Sequence, residues 1–132
     1  MSKEIEFITK SFAKNAMPYV SVAINGSSRH KSARFTFRNG FGQMISKTGY
    51  IVVSNINEES DKIYFSESGE GEGYAFRAND TTSNGSITIN VHWLAEKIEE
   101  YGWIGDYPEF YKEDGYYCIH KEDRVNIIKR KR

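Results

Sequence analysis

Asn84-Gly-Ser-Ile-Thr-Ile-Asn-Val-His-Trp-Leu-Ala-Glu-Lys-Ile98 carries two hydrophobic periods in succession, and the change between them decides the fold. Ser86, Ile87, Thr88 and Ile89 alternate polar and apolar, the period-two pattern of a strand with one buried face. Asn84-Gly85 supplies a turn ahead of it, since both residues tolerate positive φ. Val91, Leu94, Ala95 and Ile98 then fall at i, i+3, i+4 and i+7, the apolar stripe of a helix. Asn90 stands where its side-chain oxygen would cap the first turn, and Gly102 where the chain would leave in a left-handed conformation. A helix is therefore expected over about 91–101. Glu99 and Glu100 oppose its dipole, so packing has to hold that end.

Working outward, Tyr19–Ile24 and Ala33–Arg38 alternate cleanly, the second burying Ala33, Phe35 and Phe37 while Arg34, Thr36 and Arg38 face out. Asn25-Gly26, Asn39-Gly40 and Asp114-Gly115 read as turns, and Phe41–Ile45 as one helical turn. Tyr50–Ser54 reads as a strand buried on both faces. Lys62–Ser66, Tyr74–Arg77 and Tyr116–His120 are further strands, with Val125–Ile128 as a last edge strand. Glu4–Phe12 suits a helix or a short strand equally, and Ser68-Gly-Glu-Gly-Glu-Gly73 reads as a hairpin tip. The expectation is a strand-rich α+β fold: a single domain over 1–128, a curved sheet or small barrel carrying one main helix, with a basic tail at 129–132.

The 132 residues are enough for one core, and 39% hydrophobic with 14% aromatic content predicts a folded chain. Cys118 is the single cysteine, which excludes an internal disulfide or a Cys-pair zinc site; its flanks read as strand, so a buried structural thiol is expected. No apolar run has the length of a membrane span and the N-terminus has no signal core, so the cytoplasm, off the membrane, is the expected location. The zero net charge hides a segregation: residues 1–57 carry +6, residues 58–123 carry −11 and residues 124–132 carry +5. Either the basic and acidic parts face each other, or the basic part meets an anionic partner.

Arg34-Phe-Thr-Phe-Arg-Asn-Gly-Phe41 and Ser86-Ile-Thr-Ile-Asn-Val-His-Trp93 align at an offset of 52, a faint repeat spanning 34–45 and 86–98. Gly85 to Ile98 also resembles the strand-to-helix element of AbrB-type DNA-binding domains. That family runs Gly-x-apolar-x-apolar-Pro into a short helix, and pairs two strand–helix–hairpin units into a swapped-hairpin barrel. The family's proline is Asn90 here, and Gly40 and Gly42 make the first copy a poor helix. The resemblance implies DNA binding and a homodimer, or two half-units in one chain.

Arg29, His30, Lys31, Arg34, Arg38 and Lys47 form the basic set. On one sheet face beside the 27–32 loop they would contact phosphates; otherwise they are a solvated, salt-bridged face. Arg29, Lys31, Arg34, Arg38 and Lys47 are the nucleic-acid candidates. The aromatics Trp103, Tyr107, Phe110 and Tyr111, with Trp93 upstream, are the second half of the core or, if exposed, a protein-docking surface. His92 and His120, with Glu96 on the helix face of His92, are a metal-site candidate for which no further strong ligand is indicated, and Glu109, Glu113 and Asp114 read as an acidic loop. The glycines at 69, 71 and 73 open no helix and are interleaved with acids, so they hold no phosphate. No catalytic frame, cofactor or metal is read. The first functional reading is a non-enzymatic nucleic-acid-binding regulator. The second is a protein-binding module, of the kind phages and mobile elements aim at a host protein.

Overall fold

The computed structural model describes residues 18–27, 29–69, 72–75 and 86–125. The strand-rich α+β class is as expected, with the strands divided between two antiparallel sheets. Sheet A has the order β6-β2-β1-β7, from β1 (Tyr19–Asn25), β2 (Ser32–Arg38), β6 (Ile87–Val91) and β7 (Gly105–Tyr107). Sheet B has the order β5-β3-β4-β9-β8, from β3 (Tyr50–Val53), β4 (Lys62–Glu67), β5 (Tyr74–Ala75), β8 (Tyr111–Glu113) and β9 (Tyr116–His120). A short helix α1 (Phe41–Ile45) follows β2, and a 3-10 turn (His92–Leu94) leads into α2 (Ala95–Glu100) after β6.

The inner faces of the sheets meet in one apolar cluster. Phe65 of β4 lies edge-on to Phe35 and Phe37 of β2, at ring-centroid distances of 5.7 and 5.1 Å. Such T-shaped contacts set the positive ring edge against the negative face. Around them pack Val20, Val22, Ile87, Ile89, Ile51, Val53, Ile63 and Ile119, with Leu94 from the 3-10 turn and Ile98 from α2. The period-two readings therefore hold for β1, β2 and β6, and β4 alternates in the same way.

Three local readings are corrected. Val91 continues the strand, paired with Ala33, so the helix starts one residue later than its stripe suggested and begins as a 3-10 turn. Asn90, paired with Arg34, lies within β6 and caps nothing; its Oδ1 accepts a 3.5 Å hydrogen bond from Asn25 Nδ2. On β3, only Ile51 and Val53 are buried while Tyr50 and Val52 are half-buried, so that strand has one core face, not two.

Gly102 closes α2 as expected. At φ +77°, it lets Trp103 N donate to Ile98 O (3.0 Å) and Gly102 N to Glu99 O (3.4 Å), the paired bonds of a Schellman motif. The 4–12 segment, the Asn84-Gly85 turn, the rest of the 74–77 strand, residues 126–128 and the 129–132 tail lie outside the described residues, as do Glu70 and Gly71 of the hairpin tip. Of the last strand, Val125 pairs with Asp106 as a single bridge.

The faint repeat falls on two paired strands. Its two copies are β2 and β6, adjacent and antiparallel, and Thr36 pairs directly with Thr88, 52 residues on. In sheet B, Phe65 pairs with Tyr117, again 52 residues on.

Candidate nucleic-acid interface

Alternation on three neighbouring strands of sheet A sends one set of side chains inward and leaves the other on the outer face. The outward set is Tyr19, Ser21, Ala23 and Asn25 on β1, Arg34, Thr36 and Arg38 on β2, and Thr88 and Asn90 on β6. None of these is acidic. On β7, Asp106 stands opposite Ser21, but its carboxylate is buried. Arg34 is exposed between Ala23 and Asn90. Arg38 is half-buried: its Nε donates to Ser21 Oγ at 3.0 Å and its guanidinium lies 5.9 Å from the centre of the Tyr19 ring. These contacts hold the fork in place and leave its terminal nitrogens for a ligand. Four residue steps along the strand separate the two arginines by about 13 Å, so they would address different phosphates. The Thr36 and Thr88 hydroxyls lie 3.2 Å apart between them.

The turn joining β1 to β2 brings Arg29, His30 and Lys31 to one end of this face. There the start of the helix meets them. A cleft of about 300 Å³ is lined by Arg29, Lys31, His92, Trp93, Ala95 and Glu96, and Trp93 is 47% exposed. Lys31 forms a 2.8 Å ion pair with Glu99, which partly neutralises the end of α2 and joins the basic third of the chain to the acidic part. Lys47 lies elsewhere. It follows α1 on the way to sheet B, its exposed segment held by Glu67, whose Oε2 accepts from Lys47 N and Thr48 N at 2.6 and 2.9 Å. The structure thus gathers Arg34 and Arg38 on one face, with Arg29 and Lys31 at its end, and separates Lys47 from them. Thr88 and Asn90 were missing from the sequence-based set, although their alternation with Ile87 and Ile89 marks them as outward.

The aromatic candidates do not share a surface. Trp103 and Tyr107 are fully buried, with Tyr107 Oη donating to Trp103 O at 2.6 Å, so they are core residues and not docking residues. Burial pushes the Tyr107 phenol upward, partly offset by the Arg124 charge. Phe110 is half-buried and stacks on Phe41 at 4.3 Å. Tyr111 lies on the outer face of sheet B, stacked on His120 at 3.9 Å, and its hydroxyl donates to Asp123 Oδ2 at 2.7 Å. That bond, then burial, pushes its phenol up to about 12.

On the same outer face, Glu113 accepts from Lys62 Nζ (2.9 Å) and His120 Nε2 (2.8 Å). The Lys62 bond, then the His120 bond, hold its carboxyl below the usual range. Cys118 is buried beneath this group, and desolvation pushes its thiol up to about 11. A groove of about 520 Å³ adjoins it, lined by Val52, Ser54, Tyr64, Ser66, Asp114 and Tyr116, among others. His92 and Glu96 are on the helix beside sheet A and His120 is on sheet B, so the structure builds no site from those three. Among the described residues, no helix is long and apolar enough to cross a membrane. Compared with protein-family profiles, curated proteins and solved structures, the chain has no match.

Proposed function

We propose that this protein is a small cytoplasmic regulator that binds nucleic acid, without chemistry of its own, through the outer face of sheet A and its β1–β2 end. One observation carries the reading: three adjacent strands turn outward two arginines and several hydrogen-bonding side chains, and no carboxylate. Guanidiniums neutralise phosphates, and Thr, Asn and Ser side chains add neutral hydrogen bonds to them. The exposed Trp93, flanked by Arg29 and His92, offers a stacking platform at the end of the face. The AbrB-type reading would set β2-α1-β3-β4 beside β6-α2-β7-β8-β9, in which β7 is an added strand between the helix and the hairpin. On this reading the pairing that a homodimer would provide is made within one chain.

Fluorescence anisotropy with random-sequence duplex DNA at two salt concentrations tests the reading. Binding should weaken steeply with salt, and Arg34→Ala with Arg38→Ala should lower the slope of log affinity against log salt by about 2, at about 0.9 per phosphate contact. Absence of binding at low salt, or an unchanged slope in the folded double variant, overturns it. A second reading, a module docking on a host protein, is favoured by the groove on sheet B, where Tyr116 is 47% exposed beside Tyr64 and Val52. Such docking would persist at high salt and be lost in Tyr116→Ser, as pull-down from host lysate would show.

A further inference from the structure

We propose that Glu113, Cys118 and His120 form a binding site for a zinc-type divalent cation that pins the β8–β9 hairpin. One ligand atom from each lies within 4.8 Å of the other two. The placement follows from the hairpin. Asp114 and Gly115 both have positive φ (55° and 84°), the geometry of a two-residue type I′ turn, and Glu113 pairs with Tyr116. Cys118 and His120 are two apart on β9, so they share a face, and Glu113 stands on the same face of β8. Thiolate, imidazole and carboxylate are the three ligand types zinc takes, at about 2.0–2.3 Å, and three protein ligands leave a fourth position for solvent.

The surroundings supply the support that metal ligands need. Lys62 Nζ holds Glu113 through Oε1, leaving Oε2 facing His120. An ionised carboxylate has no hydrogen to give, so without metal His120 Nε2 is the donor in that contact. A cation would take Nε2 and move the ring proton to Nδ1, where Glu122 Oε2 lies at 3.9 Å. That separation is too long for a direct hydrogen bond, so Glu122 would face the ring only as a nearby charge. Tyr111, stacked on the ring, limits its rotation. The Cys118 thiol would release its proton to solvent on coordination.

The test is titration of the full, chelator-treated chain with Co²⁺, followed by Zn²⁺ displacement. One equivalent of Co²⁺ should produce a thiolate-to-metal charge-transfer band with the visible bands of a tetrahedral site, and Zn²⁺ should abolish both. Cys118→Ser should remove the charge-transfer band. His120→Ala and Glu113→Gln, both at partly exposed positions, should weaken Co²⁺ binding at least 10-fold. His30→Ala with His92→Ala should change nothing. The proposal fails if no such band forms in excess Co²⁺, if it survives in Cys118→Ser, or if folded His120→Ala and Glu113→Gln bind as wild type does.

Discussion

Gly42→Ala is the substitution for which two opposed effects can be weighed from the structure. Gly42 is buried in α1, and a Cβ added there would overlap Cγ1 and Cδ1 of Ile87 and touch Phe37 Cβ at 3.4 Å. Ile87 is itself 3% exposed, so it has little room to yield. Overpacking of this kind costs about 1–3 kcal/mol. Against it, alanine gains up to about 1 kcal/mol over glycine in a helix, and less in one this short. Overlap should win, leaving the variant about 1 kcal/mol less stable. At about 2.1 cal/mol/K of unfolding entropy per residue, that lowers Tm by about 4 °C for this chain.

The companion variant isolates the cause. Ile87→Ala costs about 2–5 kcal/mol by itself but removes the overlapping atoms. In that background Gly42→Ala should become stabilising by about 0.5–1 kcal/mol, a coupling of roughly 2 kcal/mol. Urea denaturation of the four proteins, followed by circular dichroism, measures it. A coupling below about 0.5 kcal/mol, the range of independent sites, would refute the reasoning.

Cys118 should resist labelling by a thiol-reactive disulfide reagent at neutral pH and react fully once denatured, because burial pushes its thiol up to about 11; rapid native labelling would contradict this. Glu113 has a folded pKa below its unfolded value, so its contribution is full above the unfolded pKa and is lost as pH falls through the folded one. With chelator present, Glu113→Gln should flatten the acid limb of Tm against pH below about pH 5 and narrow the gap to wild type there. Tyr107→Phe should cost about 1–2 kcal/mol in urea denaturation, by removing a buried donor and leaving the Trp103 carbonyl without it.

Much of the strand pattern was legible because one-sided burial writes itself as alternation: Val20 and Val22, Phe35 and Phe37, Ile87 and Ile89 all face the core. What misled was the handover at Asn90–Val91. Val91 fits both the strand's period of two and the helix's i+3 spacing, and only its pairing with Ala33 settles which applies. Arg34 and Arg38 could be placed on one face because both lie on a single strand. Lys47 could not be excluded, since the path of the chain after α1 depends on where sheet B packs. Trp103 and Tyr107 carry no period, and their burial follows from the turn after Gly102. The Glu113–Cys118–His120 group was invisible for another reason: Glu113 read as part of an acidic loop, and its orientation depends on the turn at Asp114-Gly115.

The two-fold pairing bears on why the arginines are there. An antiparallel pair has a local two-fold axis, and in sheet A that axis relates residues 52 apart at Thr36 and Thr88. The same offset pairs Phe65 with Tyr117 in sheet B, so one offset serves both layers. Applied along β2, it makes Asn90 the sequence counterpart of Arg38 and Ser86 that of Arg34, although in the sheet Arg34 itself pairs with Asn90. Both copies keep the inward apolar residues, Phe35 with Ile87 and Phe37 with Ile89, and the outward Thr. The flanking positions differ: buried Ser86 and exposed Asn90 complete one copy, while Arg34 and Arg38 stand in the other. Strand pairing and core packing therefore make no demand for a guanidinium at these positions. At about 13 Å apart the two guanidiniums are largely screened from each other, and an anionic partner contacting this face would give both a role.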